Sequence, residues 1–77
     1  MKEITVHFGS VQDVQRFVEL ATRQPYAIEL GNEHHRVNGK SFMEIFSLNF
    51  DCPLTAWLDC SQEQLQQFHQ DLTGSDQ

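Results

Sequence analysis

At 77 residues the chain has room for one domain and one core, and a domain this small buries only about 60% of the surface its unfolded form exposes. A formal charge of −6 with only five Lys and Arg excludes nucleic acid as a partner, because phosphate binding needs a basic face. It also disfavours an anionic membrane surface, and no apolar run approaches the ~20 residues that span a bilayer.

The N-terminus has no signal-peptide layout and begins at once with strand-like alternation. In "KEITVHF", Ile4, Val6 and Phe8 point one way and Glu3, Thr5 and His7 the other, as in a half-buried strand. "GS" breaks the pattern, and Ser10 with Asp13 three residues on reads as a capping box for a helix over 11–23. Its stripe is Val11, Val14, Val18 and Ala21, with Phe17 and Leu20 at the borders, and Pro25 ends it.

"YAIEL" resumes a period of two, with Ile28 and Leu30 on one face. "GNEH" is a turn and "HRVNG" a return strand, which together predict a hairpin. His34 and His35 are adjacent, so on a strand they would point to opposite faces and make no metal pair. A short helix over 41–48 follows, then "PLTAWLD", a strand with Leu54, Ala56 and Leu58 on one face and Thr55 and Trp57 on the other. Ser61 and Gln64 form a second capping box, opening a last helix with Leu65, Phe68 and Leu72 inward and His69 at its exposed edge. Residues 73–77, "TGSDQ", read as a flexible polar tail.

The order is β-α-β-β-α-β-α, and each helix carries one apolar stripe that needs one sheet face. The simplest answer is an α+β open-faced β-sandwich: a single domain over 1–77, with three helices on one side of a four-stranded sheet. Cys52 and Cys60 form no CxxC, and two reduced thiols in a cytoplasmic protein are expected. No His, Cys and carboxylate set has ligand spacing, and no Gly-rich phosphate loop or Ser-His-Asp arrangement is visible. No metal, cofactor or catalytic site is therefore predicted.

The helix over 41–48 is too greasy for one sheet. At ~100° per residue Ile45 and Leu48 fall together, whereas Phe42, Met43 and Phe46 cluster on an arc roughly 140° away. A helix this short cannot bury both arcs against one surface. Grouped aromatic and Met side chains left outside are a mark of a protein-docking surface. The alternative is that Phe42 or Phe46 tucks under the first helix. Ser41 lies at the helix N-terminus, where unpaired N–H groups would suit a phosphate.

Those same residues carry a family resemblance. "VNGKSFMEIFSLNF" resembles the segment around the regulatory serine of HPr, the histidine-containing phosphocarrier of the bacterial sugar phosphotransferase system. The matching positions are Lys40 and Ser41, the apolar pair Phe42 and Met43, then Ser47 and Leu48. The element order agrees over almost the whole chain, although ferredoxin-like folds share much of it. The family's phosphoryl acceptor is a histidine in Gly-Leu-His-Ala-Arg-Pro, where this chain has "HFGSVQDVQRF". Ser10 falls near the histidine's place and Gln12 near the arginine's. A serine hydroxyl without a neighbouring base cannot serve as a reversible high-energy carrier, so the resemblance is to a divergent member that has lost the relay.

What the resemblance implies is a non-catalytic regulatory or protein-binding domain. It would dock a phosphotransferase-system component, a kinase or a transcription regulator through Phe42, Met43 and Phe46, with Ser41 as the phosphorylation switch. Glu44 departs from the family's small residue there and adds negative charge beside that serine. The alternatives are a divergent phosphocarrier that uses His7, or a self-associating domain with the second helix as homodimer interface.

Overall fold

A computed structural model describes residues 1–48 and 52–74 of the chain. Its elements are β1 (Lys2–Val6), α1 (Val11–Thr22), β2 (Ile28–Gly31), β3 (Arg36–Asn38), α2 (Phe42–Phe46), β4 (Leu54–Leu58) and α3 (Gln62–Gly74). The four strands form one antiparallel sheet in the order β1-β4-β2-β3. Register places Ile4, Ala56, Leu30 and Val37 in one row across it, and these residues meet the core. The next row, Glu3, Trp57, Glu29 and Asn38, belongs to the opposite face. The α+β open-faced arrangement expected from the element order is therefore present. Among the described residues no helix is long and apolar enough to cross a membrane.

Ser10 and Ser61 both cap their helices, but only Ser61 forms the full capping box. Ser10 Oγ accepts from Asp13 N at 3.4 Å, and the Asp13 carboxylate reaches back to Gly9 N at 2.8 Å. At α3 the exchange is reciprocal: Gln64 N donates to Ser61 Oγ at 3.1 Å and Ser61 N to Gln64 Oε1 at 3.0 Å. The hairpin is closed by Asn32, whose Oδ1 accepts from His34 N and His35 N while its own N–H donates to His35 O. His34 lies in the turn as expected, and His35 joins it instead of opening β3, because the Asn32 side chain ties up both amides. Gly31 is needed there, since a Cβ would run into the His35 carbonyl oxygen and come within 2.9 Å of Arg36 Cα.

The core centres on Phe17, which is 0% exposed and meets Phe8 and Phe68 edge-on at 5.6 and 5.7 Å. This corrects the expected stripe of α1. Phe17 is the helix's centre, not its border, and Val11 is 42% exposed. The helix is rolled so that Phe17 fills the angle between β1 and α3, which carries Val11 away from the sheet. Of the other inward residues expected, Val14, Ala21, Ile28, Leu30, Leu54, Ala56, Leu58 and Phe68 are buried, whereas Ile4, Val18, Leu65 and Leu72 are half-buried at the margin. α3 continues through Thr73, whose Oγ1 donates to His69 O at 2.9 Å, and Gly74. The first two residues expected in the tail therefore belong to the helix, and 75–77 lie outside the described residues.

Candidate functional site

α2 spans five residues, and a last turn brings Leu48 N to Ile45 O at 3.0 Å. Ile45 is fully buried and Leu48 nearly so, which makes them the inward arc that periodicity predicts. Met43 is 75% exposed and Phe46 47%. Phe42 lies between these limits: half-buried, packed on the core margin and stacked on Phe46 with centroids 5.4 Å apart and planes 21° from parallel. Of the three residues on the outward arc, Met43 and Phe46 face water, whereas Phe42 is partly taken in by α1. Phe42 also borders a shallow groove of about 420 Å³ with Gln15, Val18 and Glu19 of α1.

Ser41 is the N-cap of α2, with Oγ accepting from Glu44 N at 3.4 Å. The Glu44 carboxylate accepts from Asn38 N at 3.1 Å, so a negative charge already sits at this end of the helix. Lys40 is engaged elsewhere: its Nζ donates to Gln24 O at 2.8 Å, tying the start of α2 to the carbonyl end of α1.

Ser10 is exposed at the N-cap of α1, where its hydroxyl oxygen serves the helix, and Gln12 is exposed in the first turn. His7, just past β1, is also exposed, but it is not alone. A cavity of about 230 Å³ opens between the end of β1, the first turns of α1 and the last turns of α3. His7, Arg16 and His69 converge on its rim, with Asp13, Thr5 and Thr73 beside them. Its floor is apolar, formed by Val6, Phe8 and Leu72. Arg16 and the grouping with His69 escaped the sequence reading, because only the packing of α3 beside β1 unites residues from opposite ends of the chain.

Among the described residues no three His, Cys, Asp or Glu side chains gather as a metal site would. Cys52 is an exposed free thiol and Cys60 a half-buried one. Burial pushes the Cys60 thiol up and Asp59 adds to the rise, while Lys2 and the N-terminal ammonium oppose it. A raised pKa leaves little thiolate at neutral pH, which is the wrong direction for a nucleophile.

The fold has a known counterpart. The chain is similar in structure to the crystal structure of HPr-C-His from Thermoanaerobacter tengcongensis, with a TM-score of 0.76 over 97% of this chain and 93% of that one, at 24% sequence identity. That likeness establishes an HPr-like fold. No protein-family model matches the sequence, and no curated protein does.

Proposed function

We propose that this chain is a non-catalytic HPr-like binding module that engages a protein partner through the outward face of α2. One observation carries the reading: adjacent turns of a single short helix hold Ile45 at 0% exposure and leave Met43 at 75% and Phe46 at 47%. Polarizable and aromatic side chains of this kind, set beside a groove, are the usual anchors of an interface. Exposed Glu19 and Glu44 border the patch, so the fitting partner presents an apolar knob within a basic rim. A component of a sugar phosphotransferase system, a kinase acting on such components or a transcription regulator is our first candidate for that partner, a choice that the HPr-like fold supports. Ser41 is the proposed switch, because a phosphate there would have to displace the Glu44 carboxylate from Asn38 N and so reshape the rim of the patch.

The test is an amide chemical-shift titration of the labelled chain with the purified first enzyme of the phosphotransferase system and with that system's serine kinase. Saturable shifts confined to α2 and the facing turns of α1 are expected, with Phe46→Ala weakening them about tenfold or more. Shifts confined to the open face of the sheet, or none with either protein, would remove the reading.

A second reading, a divergent phosphocarrier, is favoured by the exposed His7 sharing a cavity with Arg16. Acid-labile phosphate on His7 after incubation with phosphoenolpyruvate and the first enzyme, absent in His7→Ala, would establish it.

A further inference from the structure

The cavity at the end of β1 lies on the α3 side of α1, away from the α2 patch, and its chemistry is different. Three residues with nitrogen-bearing side chains line it from three parts of the chain: His7 after β1, Arg16 on α1 and His69 on α3. None of the three makes a side-chain hydrogen bond or ion pair to the described residues. The chain carries a net charge of −6 and only five Lys and Arg, so a guanidinium lining one cavity together with two imidazoles, and unpaired among the described residues, is a local exception. Among the described residues Asp13 is the one carboxylate lining the cavity, and its Oδ2 already accepts from Gly9 N at 2.8 Å.

We propose that this cavity binds a small aliphatic carboxylate, a short-chain organic acid, with its head group on Arg16, His7 and His69. The planar guanidinium matches a carboxylate in a two-point contact, and imidazole N–H groups can complete its acceptor sites. Beneath them Val6, Phe8 and Leu72 offer an apolar floor for a hydrocarbon tail. The volume sets the size: about 230 Å³ at about 30 Å³ per water-sized group admits roughly seven or eight non-hydrogen atoms. The Asp13 carboxylate selects against a second negative charge, which favours a monoanion over a phosphate dianion.

The experiment titrates the full labelled chain with pentanoate, inorganic phosphate and 1-pentanol at fixed ionic strength, following the imidazole signals of His7 and His69 by NMR. Pentanoate is expected to give saturable shifts at both rings with a Kd of roughly millimolar, as befits so few atoms. Arg16→Gln, an exposed change whose fold is checked by its spectrum, should weaken binding about tenfold, as loss of a charge-assisted pair does. His69→Gln should weaken it less, and 1-pentanol should not saturate. Shifts that rise linearly with every probe, an Arg16→Gln chain that binds pentanoate as tightly as the native one, or tighter binding of phosphate than of pentanoate would each overturn the proposal.

Discussion

The two flanks of α1 make opposite surfaces from the same core. On the α2 side, Met43 and Phe46 turn apolar groups to water beside acidic residues; on the α3 side, His7, Arg16 and His69 ring a hollow with an apolar floor. The difference lies in the lengths of the flanking helices. α3 has 13 residues, enough for Phe68 to reach Phe17 while later turns stand over the end of β1. α2 has five, so it can offer the core Ile45, with Leu48 just beyond, and must leave the rest outside. A short helix makes a knob and a long one makes a wall.

The largest effect expected tests what the two flanks share. Phe17→Ala removes the ring that touches both Phe8 and Phe68, and should cost about 3–5 kcal/mol in denaturant unfolding. A loss below about 1 kcal/mol would mean that the flanks do not rest on a common centre. The next contrast lies within α2 itself. Ile45→Ala should cost about 2–5 kcal/mol, whereas Phe46→Ala, its neighbour in sequence, should cost under about 1 kcal/mol. Equal losses would dissolve the distinction between an inward and an outward arc.

The smallest effect concerns the alkaline limb. Tyr26 is buried with its hydroxyl unpaired among the described residues, and burial first, then the charges of Cys60 and Asp71, push its pKa up from 10.0. Cys60 is likewise raised from 9.0. Both groups are neutral at pH 7, and the unfolded chain gives up these protons before the folded one does. Stability is therefore complete below about pH 9 and falls as pH rises through the two raised values. Tyr26→Phe should leave stability at pH 7 unchanged or better by up to about 1 kcal/mol and flatten that fall, as read by unfolding at pH 7 and pH 10. A steeper alkaline loss in the variant would contradict the burial argument.

Much of the frame was legible because it rests on local rules. Alternation in "EITVHF" and "LTAWL", and Ser-to-acceptor spacing at Ser10 and Ser61, are decided within a few residues of chain, and the structure follows them. The outward arc of α2 was legible for Met43 and Phe46 by the same logic. It failed by degree for Phe42, because the proximity of α1 is a tertiary fact that periodicity does not contain. The roll of α1 around Phe17 was missed for that reason too: three aromatic rings from separate elements choose it together. The cavity of His7, Arg16 and His69 was invisible, since each residue taken singly reads as an exposed polar side chain.

The chain has a single tryptophan, and Trp57 lies on the side of the sheet that no helix covers, with the Arg36 guanidinium 3.9 Å from its ring centroid and Glu29 paired to Arg36 at 3.3 Å. Its fluorescence is thus a natural indicator for that uncovered side. A ligand on either flank of α1 should leave the emission unchanged, whereas anything that lies across the strands must disturb the cation above the indole and alter its quenching.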